Sequence, residues 1–338
     1  MTEVPLSARV EAPAQVQPAP VAGVSWRNAT LDVVDAVVEL YAAMSRVDHP
    51  EWAETRDEIE QEFQHSWVEL RRDSLVAEAD GAIVAHGLVI APPAPETIVR
   101  SVLFGGVHPQ HRGRGIGRAL LGWQEGRARQ QLAASTLALP GWILCYSYDR
   151  DPSAARLLER EGFATERYFS QLQRELSAPI PELELPAPLR LATLSPELSE
   201  ATRVAKNAAF RDHWGSQPTS VEGWNGQLSL PSLRPELSFL AMEGGEVVGF
   251  VIVNVNEADF ELQGFAGSYI SLVGVVAPWR RRGVAPALLA ASLRAARDAG
   301  LERAVLDVDS ESPTGALGLY TGMGFEAAAT SRAHVKSF

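Results

Sequence analysis

Two stretches of the chain carry runs of apolar, largely β-branched residues on either side of a two-residue turn. "SLVAEADGAIVAHGLVIA" (residues 74–91) turns at Asp80-Gly81, and "LSFLAMEGGEVVGFVIVNV" (237–255) turns at Gly244-Gly245. Both dipeptides tolerate the positive φ of a tight hairpin, so each stretch predicts two antiparallel strands. Upstream of each lie a short strand ("VSWRNAT", "LRLATL") and a segment with helical spacing, "LDVVDAVVELYAAM" and "ELSEATRVAKNAAF". Downstream the order also repeats. A strand ("TIVRSVLFGGV", "GSYISLVGVV") runs into an arginine–glycine loop and an amphipathic helix. Another strand follows ("GWILCYSYD", "RAVLDVDS"), then a short helix and a Gly-Phe.

The copies hold register. Arg112, Gly115 and Gly117 correspond to Arg280, Gly283 and Ala285 at a displacement of 168 positions, and Phe163 to Phe325 at 162. A duplicated α/β (α+β) domain accounts for this. The fold expected is two tandem domains, each a mixed, mostly antiparallel twisted sheet flanked by helices. The N-terminal domain is expected over 24–176, after a disordered tail at 1–23. A proline-rich linker is expected at 177–188 and the C-terminal domain at 189–338.

In both copies the strand delivers the chain to Arg-x-x-Gly-x-Gly/Ala and then to a helix. The first amides of a helix have no intrahelical partners, and with the helix dipole they form a site for a phosphate or pyrophosphate. Flanking arginines can add charge and hydrogen bonds. The candidate anion cradles are Arg112, Gly113, Arg114, Gly115, Ile116 and Gly117 in the first copy, and Arg280, Arg281, Arg282, Gly283, Val284 and Ala285 in the second. Neither is a P-loop, for no G-x-x-x-x-G-K-[ST] occurs. The G-x-G-x-G spacing at Gly113 also departs from the dinucleotide fingerprint.

Charge and composition narrow the partners. The 338 residues carry a net charge of −12. That argues against generic binding to nucleic acid or anionic membranes and assigns the basic loops to a small anionic ligand. One cysteine, Cys145, excludes an intrachain disulfide, and its apolar setting reads as core. With no signal-like or membrane-spanning segment in the sequence, a cytoplasmic protein is expected.

"VVAPWRRRGVAPALL" with "ALGLYTGMGF", and "VHPQHRGRGIGRALL" with "AARLLEREGF", resemble the GNAT superfamily of acetyl-CoA-dependent N-acetyltransferases over nearly everything from residue 24 onward. The resemblance implies a sheet splayed near its middle with coenzyme A in the cleft. It also implies pyrophosphate on the loop amides, and backbone groups near Val275 and Val107 pairing with the pantetheine arm. The tandem layout resembles that of mycothiol synthases, which acetylate an amino group on a cysteine-bearing sugar conjugate. Two features depart from that pattern: Ser268-Tyr269 replaces an acidic residue early in the strand, and "FRDHWG" differs from a His-Pro-Glu-type stretch.

Acetyl transfer to an amine needs a neutral amine, a donor to the thioester oxygen and a proton for the departing thiolate. The Val275 N–H suits the second need. The family's tyrosine before Gly-Phe falls on Tyr320, whose phenol stays protonated at neutral pH. The same count back from Phe163 gives Leu158, so the C-terminal domain is expected to be catalytic and the N-terminal one degenerate. Asp307, Asp309, Asp212 and His213 are candidates for the base, and Asp212, His213 and Trp214 for the acceptor side. Trp214 and Trp224 read equally as pocket walls or core. The reading is an acetyl-CoA-dependent enzyme acting on a small amine, without metal, as a monomer or homodimer. The competing readings are mycothiol synthase-type acetylation of a cysteinyl sugar conjugate and a non-catalytic acyl-CoA-binding sensor.

Overall fold

A computed structural model describes residues 4–50, 52–312 and 315–338. Pro313 and Thr314, in the stretch resembling mycothiol synthases, lie outside the described residues, as do the first three of the tail. The chain divides into two compact units, one of Met1–Glu166 with Arg332–Phe338, the other of Arg167–Ser331.

The first unit contains β1 (Ser25–Arg27), α1 (Val34–Asp48), α2 (Arg56–Gln64), α3 (Leu70–Asp73), β2 (Ser74–Ala79), β3 (Ala82–Ile90), β4 (Val99–Val107), α4 (Ile116–Ala133), β5 (Gly141–Tyr148) and α5 (Pro152–Arg160). Its strands run in the order β1-β2-β3-β4-β5. The hairpin turn at Asp80-Gly81 has φ of 53° and 79°, as a two-residue turn between Ala79 and Ala82 requires. Side chains alternate across the sheet. Leu75, Ala77 and Ala79 join Leu120 and Leu121 of α4, whereas Val76, Leu88 and Ile90 join Val37 and Leu40 of α1 and Phe63 of α2. Both faces are covered, so the strands read as nearly continuous apolar runs.

β6 (Ala164–Glu175) leads into the second unit. There follow β7 (Arg190–Thr193), α6 (Ser199–Ala209), α7 (Val221–Ser229), β8 (Phe239–Glu243), β9 (Glu246–Asn254), α8 (Ala258–Gln263), β10 (Gly267–Val275), α9 (Val284–Asp298), β11 (Arg303–Asp309), α10 (Ala316–Gly322) and β12 (Glu326–Ser337). The order is β6-β11-β10-β9-β8-β7. Val251 and Val253 of β9 face Leu288, Leu289 and Leu293 of α9. Phe250 and Ile252 face Ala205 and Ala209 of α6.

Three boundaries differ from expectation. The segment expected as a disordered tail is instead docked through Leu6. Leu6 is fully buried, its N–H donates to Leu137 O, and it sits over Gly141, where a Cβ would meet its side chain at 2.5 Å. A few apolar residues spaced through a proline-rich segment dock it without any periodicity. The 177–188 stretch is also held, since Arg174 and Arg294 donate to its carbonyls at Pro179 (2.7 Å) and Pro181 (3.0 Å). Finally, the last strand of each copy changes unit: residues 167–175 flank β11, and residues 332–337 flank β5, where Phe338 exchanges both backbone bonds with Gly141. Strand periodicity specifies a strand's faces and leaves its neighbour open.

Candidate active site

The sheet of each unit opens at the same place. β10 pairs in parallel with β11 only from Gly267↔Arg303 to Tyr269↔Val305, and β4 with β5 only from Val99↔Gly141 to Val102↔Leu144. Beyond that, β10 keeps only its other neighbour, β9, as far as Val275↔Gly249. Val276 N–H donates to Val248 O at 3.0 Å. Antiparallel pairs alternate, so the N–H and C=O of Val275 and Val273 turn away from β9 toward the gap. Arg280 Nε takes the Val275 carbonyl at 3.2 Å, which leaves the Val275 N–H directed into the gap. Val107 matches it: His108 N–H donates to Val84 O at 2.8 Å, and Arg112 Nε takes the Val107 carbonyl at 3.1 Å.

The loops continue from those strand ends. Gly283 and Gly115 precede their helices at φ 84° and 88°, and no side chain caps the first-turn amides of α9 or α4. Space outside both glycines is free of protein, for a Cβ at either would meet nothing within 4 Å. An uncapped helix start facing open space fits a pyrophosphate, so these residues suit coenzyme A. Arg281 adopts φ 60°, a conformation costly for a residue with a Cβ, where the first copy has Gly113 at 75°.

The arginines divide their work in a way the motif alone does not disclose. Besides holding Val275 O, the Arg280 guanidinium donates to Ala209 O at 2.9 Å and to Asp212 at 3.2 Å. It braces the loop against the end of α6 and has few donors left for an anion. Arg112 does the same work with a bidentate pair to Asp48. Arg282 lies over the Trp279 ring at 5.0 Å, and Arg114 Nη1 lies 3.1 Å from His111 Nδ1.

Tyr320 lies on α10 within the α9-side core, beside Leu306, Val308 and Phe325. Burial alone pushes its phenol up to about 12, so it stays protonated across the physiological range. Phe325 N–H closes on Tyr320 O at 3.0 Å, and Phe163 N–H closes on Leu158 O at the same distance. The two residues therefore occupy the same turn of the same helix in each unit.

The remaining candidates lie on the opposite face or beside the loop. Tyr269 Oη donates to Asp307 at 2.9 Å. Asp309 accepts from Glu311 N–H at 2.9 Å and lies 3.9 Å from Arg167. His213 packs on Phe210 at 4.5 Å, and burial, then the Arg280 charge, lowers its pKa, which keeps it neutral at pH 7. Asp212 is committed to Arg280, and Trp214 faces Arg167 at 5.4 Å. Trp224 is fully buried with Nε1 on Ser199 O at 3.1 Å, which makes it core. Burial raises the Cys145 thiol well above its usual range, consistent with a core role. Among the described residues no helix is long and apolar enough to cross a membrane.

Comparison with known proteins agrees with this geometry. Residues 200–325 match the "Acetyltransferase (GNAT) family" and residues 71–165 an "Acetyltransferase (GNAT) domain". The chain belongs to the GNAT acetyltransferase family. It is 33% identical to a mycothiol acetyltransferase of Thermobispora bispora over 69% of this chain and 72% of that protein. It is also 33% identical to one of Frankia casuarinae over 65% of this chain and 63% of that protein, so the match spans less than two thirds of that relative. A GCN5-related N-acetyltransferase of Sphaerobacter thermophilus superposes with a TM-score of 0.70 at 26% identity, covering 94% of this chain and 96% of that one. Motif reasoning missed the Asp48 carboxylate that braces Arg112, because the two lie 64 positions apart and no local spacing joins them.

Proposed function

We propose that this GNAT acetyltransferase transfers acetyl from acetyl-CoA to the primary amine of a small molecule, with the chemistry in the second unit. The observation that carries this is the contrast at one helical turn, where the second unit has a buried, protonated Tyr320 and the first has Leu158. When bound, acetyl-CoA supplies the activated acetyl group. The loop amides from Arg282 to Ala285 would hold its pyrophosphate, and the Val275 N–H would donate to an oxygen in the gap. The Tyr320 phenol has a proton to give to a thiolate arriving from the α9 side.

The non-catalytic sensor gives no role to a phenol in this position, so the enzyme reading is preferred. The named relatives favour an acceptor of the kind mycothiol synthases use, a cysteinyl sugar conjugate; Ser268-Tyr269 and "FRDHWG" are where this chain would recognise it differently. Thiol release from acetyl-CoA across a panel of amines tests the proposal. Tyr320→Phe is expected to lower kcat by roughly 10²-fold or more, the scale of a lost general acid, with acetyl-CoA affinity retained. Wild-type turnover in Tyr320→Phe would remove the acid role.

A further inference from the structure

The gap of the first unit has an apolar mouth where that of the second is acidic. β4 and β5 part after Val102↔Leu144, so Phe104 and Tyr146 are the next residues on either side whose side chains share a face. That face is the α1 side. Phe104 pairs with Leu88, which packs under α1, whereas Leu103 and Cys145 belong to the core beneath α4. Both rings stand clear of the core, Phe104 at 43% exposure and Tyr146 at 44%. Counted back from the loop, Phe104 precedes Val107 as Leu272 precedes Val275, and Tyr146 matches Asp307 on the neighbouring strand. Leu272 packs on the cluster beneath α6, so the second unit has no exposed ring at either position.

The surroundings of this mouth are apolar as well. Gly106 brings no side chain to it, and the thioether of Met44 lies over that glycine. A thioether adapts its shape to what lies against it. Beside Tyr146 on the same face, Tyr148 closes with His49 at 4.4 Å and His49 stacks on Trp52 at 4.3 Å, a packed aromatic wall.

These features describe one kind of ligand. The uncapped start of α4 behind Gly115 suits phosphates. Between it and the two rings, β4 offers about 17 Å of edge that β5 does not pair, from Val102 to Val107 at ~3.3 Å per residue. A molecule with phosphates at one end, an amide-bearing arm and an apolar group at the other is an acyl-coenzyme A. An acetyl group is too small to cover two aromatic rings, whereas a longer or aromatic acyl group covers both and buries their apolar surface. On the α4 face Leu158 stands where the second unit has Tyr320, so no phenol is there to protonate a departing thiolate.

We propose that the first unit is a binding site for coenzyme A thioesters of acyl groups larger than acetyl, held between Phe104 and Tyr146 without being transferred. The inference goes beyond acetyl transfer in the second unit and does not depend on it. It requires only that the first loop hold the phosphates of coenzyme A.

Calorimetry on full-length protein tests it. In Gly283→Glu, with the second loop blocked, coenzyme A, acetyl-CoA, hexanoyl-CoA and phenylacetyl-CoA are compared. One buried methylene is worth about fourfold in affinity, so the two larger thioesters should bind about tenfold or more tighter than acetyl-CoA. Phe104→Ala and Tyr146→Ala, both at exposed positions, should each lower that preference by about threefold or more and leave the affinity for unacylated coenzyme A unchanged. A chain with Gly283 intact gives the same comparison should Gly283→Glu fail to fold: there Phe104→Ala should weaken one hexanoyl-CoA site per chain and spare the other. Equal affinity for acetyl-CoA and both larger thioesters overturns the proposal. So does a preference that survives both substitutions, or a first unit that binds no coenzyme A.

Discussion

The two units share a loop and part company on the strand beside it. β5 and β11 have the same burial order over residues 143–148 and 304–309: three buried positions, one exposed, one buried, one half-buried. The exposed position is Tyr146 in the first unit and Asp307 in the second, and the half-buried one is Tyr148 and Asp309. Tyr148 closes with His49 at 4.4 Å, and His49 stacks on Trp52 at 4.3 Å, so the first unit fills this region with its own aromatic rings. The second keeps carboxylates there. Together with Leu158 against Tyr320, this makes the copies alike where a cofactor's phosphates would sit and unlike where an amine and a thiolate would be handled.

The largest effect that should separate them comes from the glycines before the helices. Gly283→Glu adds a carboxylate where a pyrophosphate would lie, and a side chain at φ 84°. Losing two charge-assisted hydrogen bonds costs about 3–6 kcal/mol, or roughly 10²–10⁴-fold. Turnover should therefore collapse. Gly115→Glu should leave turnover intact and remove one coenzyme A site per chain if the first unit binds the cofactor. Calorimetric stoichiometry beside thiol release reads both. A Gly115→Glu protein that loses turnover would break the assignment of chemistry to the second unit.

The duplication, the hairpins, the loops and the Tyr320/Leu158 difference were legible in the sequence because each depends on local spacing. Glycine conformations, turn dipeptides and helix faces are set within a few residues. The exchange of terminal strands was not legible, because β6 and β12 each follow a Gly-Phe and nothing in either strand says which sheet it completes. The docking of Leu6 was hidden for the same reason. Arg280 braces the loop through Val275 O, Ala209 O and Asp212, a bonding pattern that its place in the arginine run does not disclose.

The braces behind the loops give the next contrast. Asp48 is 5% exposed and binds Arg112 in a bidentate pair, whereas Asp212 is largely exposed and meets Arg280 once. Breaking a buried pair typically costs about 3 kcal/mol or more, and an exposed pair under about 1. In urea unfolding with both units resolved, Asp48→Ala should destabilise the first unit by about 3 kcal/mol, and Asp212→Ala should barely move the second. Equal losses would mean the two braces bear similar loads.

The smallest contrast is in pH. His86, 1% exposed beneath the first unit's β3–β4 pair, is lowered by burial to about 3, with Tyr41 Oη 2.7 Å from its Nδ1. Its folded pKa is depressed, so its neutral form supports the fold above about pH 6.5, and that support is lost as pH falls toward 3. From pH 7 to pH 5 the loss is about 2 kcal/mol. Glu62, in the same unit, is raised by burial, then by Glu58, to about 7. Its sign is opposite, but its side chain is 47% exposed, so solvent screens the penalty of ionising it and the term is small. The buried His86 should dominate, so the first unit should lose stability between pH 7 and pH 5. Single variants expose the terms: relative to wild type, His86→Gln should gain stability toward pH 5 and Glu62→Gln toward pH 7. Melts of both variants at the two pH values measure it, and parallel shifts would show that neither group carries its assigned linkage.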